Sequence, residues 1–131
     1  MTGETARSTV RLLNLELSRP SVDEARRRLL GELEAARRDG VRILKVVHGY
    51  GSSGVGGTLR HALRKSLQRR RSEGMVGRVV QGERWGVYDP VAASLLEDFP
   101  ELRRDHDLGR DNPGITLVEL LPSDDSAQRL R

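Results

Sequence analysis

The sequence predicts an α/β fold whose elements run βαβαββ, and three stretches predict it. A set of capping residues opens a helix between two strand-like segments. A glycine-rich loop then joins the second of those strands to a basic amphipathic helix. An apolar, β-branched run set off by Asn112-Pro113-Gly114 comes last. Strand, helix, strand makes a βαβ unit, whose right-handed crossover sets the first two strands parallel. At 131 residues the chain has the length of one domain, enough to bury a core without disulfide or metal staples.

Val10 to Leu17 (VRLLNLEL) alternates as a first strand, with Leu13, Leu15 and Leu17 on one face, Asn14 and Glu16 on the other, and Pro20 closing it. In Ser21-Val22-Asp23-Glu24 the serine hydroxyl can accept the Glu24 backbone N–H while the Glu24 carboxylate reaches back, a capping box. The helix it opens runs to Arg38, burying Val22, Ala25, Leu29, Leu33 and Ala36, and Gly40 supplies the left-handed residue that ends it. Val41 to Val47 holds four β-branched residues among seven and reads as the second strand. Leu59, Ala62, Leu63, Ser66 and Leu67 share one face of a second helix, with Thr58 as its N-cap. Met75 to Gln81 is a third strand and Ile115 to Leu121 the last. One domain over 10–121, with an insertion at 82–112, leaves polar tails at 1–9 and 122–131 that are expected to be flexible.

Composition excludes several classes. The chain has no cysteine, which removes disulfides and thiolate metal sites. No apolar run is long enough to cross a bilayer and no signal-peptide pattern opens the sequence, so no membrane partner and a cytoplasmic location are expected. The net charge is +4, carried by 21 arginines and only two lysines, Lys45 and Lys65. Arginine forks suit phosphate, but such a bias also follows from genome composition or a hot habitat.

The chemistry concentrates between Val41 and Leu67. Gly49, Gly51, Gly54, Gly56 and Gly57 crowd one loop ahead of a helix N-terminus, so the backbone can approach a ligand and its N–H groups can face an anion. Gly51 to Thr58 has the glycines and threonine of a P-loop, but Gly57 stands where the phosphate-binding lysine must be. Gly49-Tyr50-Gly51-Ser52-Ser53-Gly54 satisfies G-x-G-x-x-G, which keeps a dinucleotide or small-phosphate binder as an alternative. Against it, no strand-end acid follows about 20 residues on. Arg60, Arg64 and Lys65, continued by Gln68-Arg69-Arg70-Arg71, read either as a phosphate-backbone footprint or as a solvated helix end complementing the macrodipole. His61 is a surface residue by its position beside Arg60.

These residues together resemble the Smr (small MutS-related) domain family. Ser21-Val22-Asp23-Glu24-Ala25 matches the family's first helix start, and His48-Gly49-Tyr50-Gly51 its strand-end HGxG. Leu59-Arg60 matches the second helix start, and the closing Gly114-Ile-Thr-Leu-Val-Glu-Leu its last strand. The match spans 10–81 and 113–121, about two-thirds of the chain. The resemblance implies a two-layer sandwich: a four-stranded mixed sheet with two main helices on one face. It also implies binding of DNA or RNA, branched or ribosome-associated substrates included, and phosphodiester hydrolysis in some members, with neither cofactor nor metal expected. His48 and Glu16 are the implied catalytic pair. His48, Gly49, Tyr50, Gly51, Ser52, Ser53, Gly54, Arg60, Arg64 and Lys65 are the implied nucleic-acid contacts. The family's LDLHG falls on Leu15-Glu16-Leu17-Ser18-Arg19, so glutamate and serine replace its acid and histidine. Glutamate keeps a carboxylate, but serine cannot carry a proton near neutral pH as imidazole can, which puts cleavage in question.

The segment Gly82 to Asn112 is longer than the family's connection and holds the only tryptophan and the only phenylalanine. Asp89-Pro90 reads as an N-cap and first helical residue of a short helix through Leu96, with a further turn at Pro100. Trp85, Tyr88, Leu95 and Phe99 are expected to pack over the bare sheet face. Asp105-His106-Asp107 could instead bind a metal or move protons. His48 has two readings as well: a loop-holding hydrogen bond, or a phosphate donor and proton carrier at a strand's carboxyl end. A non-catalytic module that docks on protein or ribosome through the insertion is the alternative from another functional class.

Overall fold

A computed structural model describes residues 9–49 and 56–122. The elements are β1 (Val10–Asn14), α1 (Val22–Arg38), β2 (Ile43–Val47), α2 (Gly56–Ser72), β3 (Val76–Gln81), α3 (Pro90–Asp98) and β4 (Ile115–Leu120), with 3-10 turns at Gly82–Arg84 and Pro100–Arg104. The sheet order is β1-β2-β4-β3; β1 and β2 are parallel, and β4 runs antiparallel to both neighbours. The α/β class, the mixed sheet and the parallel first pair are as the sequence predicts. Boundaries shift by one or two residues elsewhere, and two differ by three. β1 stops at Asn14 instead of Leu17, because the Asn14 side chain turns the chain, and Leu17 is left 83% exposed. α2 begins at Gly56, so Thr58 lies inside it instead of capping it. The helix extends back over Gly56-Gly57 at a propensity cost of roughly 0.5–1 kcal/mol per glycine.

Alternation along β2 and β4 sends side chains to two separate cores. Leu44, Val46, Val118 and Leu120 face α1 and α2, where Leu29 and Leu33 meet Leu59, Leu63 and Leu67. The capping box forms as expected, with Ser21 Oγ accepting from Glu24 N at 3.2 Å and Glu24 Oε1 from Ser21 N at 2.9 Å; Gly40 takes a φ of +79°. Ile43, Ile115 and Leu117 face the other way, into Trp85, Leu95, Leu96 and Leu102 of the 82–112 segment. That segment is therefore a third layer closing the second sheet face. Its N-cap is Asp89, whose Oδ2 accepts from the N–H of Val91 and Ala92. Its two ends meet: a Cβ on Gly82 would fall on the Asn112 carbonyl. Tyr88, expected in this core, is 97% exposed and corrects the reading of that stretch. Thr9, expected in a loose tail, is tied in by accepting bonds from the N–H of Arg42 and Ile43.

Candidate nucleic-acid interface

The carboxyl ends of β1 and β2 deliver two groups to one point. Asn14 Oδ1 accepts from Glu16 N at 2.9 Å and Leu17 N at 3.3 Å, an Asx turn that keeps Leu15 buried and swings Glu16 out to solvent. Beside it, Gly49 leaves β2 with a φ of +78°. A Cβ on Gly49 would lie 2.9 Å from Glu16 Oε2, so the bare glycine is what admits the carboxylate there. The crevice beyond the carboxyl ends of parallel strands is where open α/β sheets hold ligands. Tyr50, Gly51, Ser52, Ser53 and Gly54, the remaining expected loop contacts, lie outside the described residues.

Of the two readings the sequence allows for His48, its placement matches the loop-holding hydrogen bond and not a free proton carrier. It is 2% exposed, and both ring nitrogens are engaged. Nδ1 lies 2.8 Å from the Gly49 carbonyl, which can only accept, so Nδ1 carries the proton. Nε2 is then the acceptor, at 2.9 Å, for the Thr116 hydroxyl, whose oxygen in turn accepts from Arg64 Nε at 3.1 Å. Arg64, His48 and Gly49 thus form one directed chain of hydrogen bonds through Thr116. Burial lowers the His48 pKa to about 4, the Gly49 carbonyl opposes this, and the Arg64 and Arg60 cations add to it. A neutral imidazole of this kind orients Gly49 and the loop entry.

The three cations expected to act together on α2 are divided. Arg64 is locked inward, paired with Glu83 through both terminal nitrogens at 2.9 and 3.2 Å and donating to the carbonyls of Pro113 and Ile115. It is not free to meet a phosphate. Arg60 lies near His48 and Glu83 and acts on both electrostatically; its Nε is buried with no hydrogen-bond partner among the described residues. Lys65 is exposed and stands roughly 100° round the helix from Arg64 and 140° from Arg60, toward α1. An unforeseen cation joins the strand ends instead. Arg28 donates to the Ser18 hydroxyl at 2.6 Å, leaning toward the helix N-terminus as long helical side chains do. That lean is the signal that could have found it. Thr116 was legible too, as a lone hydroxyl in an apolar buried strand, which requires a partner.

The Asp105-His106-Asp107 stretch forms no metal cluster; among the described residues no three His, Cys, Asp or Glu converge. The two carboxylates clamp Lys45, at 2.8 Å to Asp105 and 2.6 Å to Asp107, while Asp105 also accepts from Trp85 Nε1 at 3.0 Å. His106 is exposed. This cluster holds the insertion to the sheet, on the face opposite α1 and α2.

A model of the Smr domain matches residues 15–86. Among solved structures, the Smr domain of Thermus thermophilus MutS2 is similar at 25% identity and a TM-score of 0.51, covering 86% of this chain and 98% of that one. No curated protein matches. The family match ends at Gly86, before α3.

Proposed function

We propose, since the chain belongs to the Smr domain family, that it binds DNA or RNA at the carboxyl ends of β1 and β2 and cleaves it slowly or not at all. The observation that carries this reading is the convergence of Glu16 and Gly49 at the strand ends, with the Ser18–Arg28 pair two residues after Glu16 and Arg60 acting on the neighbouring His48. A backbone opened by glycine can approach a phosphodiester closely, and the flanking guanidinium forks suit its two free oxygens. Hydrolysis asks for more: a positioned nucleophile, charge stabilisation, and a proton for the leaving oxygen. Glu16 can take a proton from water, and the cations can stabilise charge. Among the described residues no group at the strand ends supplies the departing proton, because His48 is neutral, buried and already donating to Gly49. Loss of such acid–base help is typically worth ~10²–10⁴ in rate.

The test is incubation with labelled single-stranded, duplex and branched DNA and RNA, scored for binding and nicking across a salt series. Wild type should bind, steeply weakened by salt, with feeble nicking that Ser18→His raises while binding stays similar. Gly49→Val should abolish binding with the circular dichroism retained, because valine resists positive φ and its side chain meets Glu16. Full binding by folded Gly49→Val would remove the strand ends from the site. Robust wild-type nicking would overturn the chemical argument.

A further inference from the structure

We propose that the groove between α1 and α2 is a second contact for nucleic acid, taking a run of phosphodiester backbone beyond the strand-end site. The proposal rests on the nucleic-acid reading above and adds a surface that reading does not use. The groove encloses about 330 Å³, with Leu29, Leu30 and Leu33 as its floor. Its rim is cationic from both sides: Arg26 and Arg27 on α1, Lys65, Arg69 and Arg70 on α2. No acidic side chain among the described residues lines it. Arg26 reaches Asp23 on its own helix at 3.6 Å and Arg70 reaches Glu73, just past the end of α2, at 2.7 Å, but Arg27, Lys65 and Arg69 have no ion pair among the described residues.

A solvated helix end does not account for this arrangement. The macrodipole of α2 favours Arg69 and Arg70 near its C-terminus, but Arg26 and Arg27 lie in the second turn of α1, toward its positive end. Cations that face each other across two helices without acids between them repel, and an anionic occupant relieves the repulsion. Four of the five are guanidiniums, whose planar forks match phosphate. The groove is also reached from the strand ends along one helix. Gly57 to Arg69 of α2 spans roughly 18 Å at 1.5 Å per residue, a stretch that a duplex strand covers with about five phosphates. One nucleic acid can therefore touch both places.

The experiment uses the full chain with a charge-reversed groove, Arg27→Glu/Lys65→Glu/Arg69→Glu, all three residues being exposed so that the fold is retained. The control reverses three exposed cations of the insertion, Arg103→Glu/Arg104→Glu/Arg110→Glu, for the same change in net charge. Binding is measured against salt for a labelled tetranucleotide and a duplex of about two turns. The groove variant should lose at least about tenfold in duplex affinity and about three units of salt slope, leave the tetranucleotide unchanged, and exceed the control in every effect. Equal effects of the two triple variants, or unchanged duplex binding in the groove variant, would overturn the groove while leaving the strand-end site standing. Duplex binding that survives Gly49→Val but falls in the groove variant would support the groove and remove the strand-end site. Polyglutamate that binds the wild-type groove where the duplex does not would assign the groove to an acidic protein and overturn the proposal, as would a wild type that binds no nucleic acid.

Discussion

The two faces of one sheet are closed by different physics. The α1/α2 face is sealed by two regular helices whose leucines interdigitate. Its polar groups gather at one end, in the hydrogen-bonded chain from the Arg64 guanidinium through Thr116 and a neutral His48 to Gly49. The insertion face is sealed by a nine-residue helix and two 3-10 turns, too little regular structure to hold itself. Two charged clusters fasten it: Lys45 between Asp105 and Asp107, and Arg78 between Glu119 and Asp98. Arg78 meets Glu119 where the β3–β4 register shifts between Val76 and Val79, and Gly77 leaves room for the carboxylate. Long helices bury enough apolar surface to stay in place, whereas short irregular segments need directional bonds. The cost of the second solution is that its charges must remain paired.

The largest expected effect follows from that cost. Lys45→Met leaves two carboxylates facing an apolar pocket and should destabilise by about 4 kcal/mol, read as an earlier urea midpoint by Trp85 fluorescence. Adding Asp105→Asn and Asp107→Asn should recover much of the loss, because the triple variant buries no unpaired charge. If the triple variant is no better than Lys45→Met alone, the cluster acts through packing and the contrast between the faces weakens. Burial pushes the Lys45 pKa down, but bonds to Asp105 and Asp107 more than reverse this and raise it, so the ammonium persists through neutral pH.

On the other face, Leu63→Ala should cost about 3 kcal/mol through transfer and cavity terms with no change of charge. β2 and β4 contribute to both cores, so Trp85 fluorescence and helical circular dichroism should shift to the same lower midpoint. Separate midpoints would show the two faces unfolding independently.

The smallest effect is a pH dependence of roughly 2 kcal/mol from His48. Its folded pKa of about 4 lies below the 6.5 of a free imidazole, so the unfolded chain takes up the proton first. The stability from keeping it neutral is complete above pH 6.5 and is lost as the pH falls toward 4. His48→Gln should flatten that slope. Glu83, Asp107 and Glu119 also titrate below their ordinary values; burial pushes Glu83 and Asp107 up, but the bonds from their partners prevail, and the Arg78 bond dominates at Glu119. Their losses therefore fall at lower pH, and an unchanged slope between 6.5 and 4.5 in His48→Gln would disprove the assignment.

The sequence by itself determined what depends on neighbours along the chain. Helical spacing placed Leu29, Leu33, Leu63 and Leu67 in one core, and Ser21 with Glu24 marked where α1 begins. Asp89-Pro90 marked the start of α3. Tertiary structure alone decided how the polar residues are spent. His48 and Arg64, 16 residues apart in sequence, share one hydroxyl of β4, a contact that chose the loop-holding reading of His48 and took Arg64 out of the cationic run. Asp105 and Asp107, which read alike as metal ligands or loop acids, are claimed by a lysine 60 and 62 residues earlier. Basic residues of α2 that form one run in the sequence divide between an inward lock at Arg64 and an outward groove wall at Lys65 and Arg69. Apolar burial and capping are periodic or local and leave a pattern in the chain. A charge takes whichever partner folding brings within about 4 Å, and nothing in the local sequence specifies that partner.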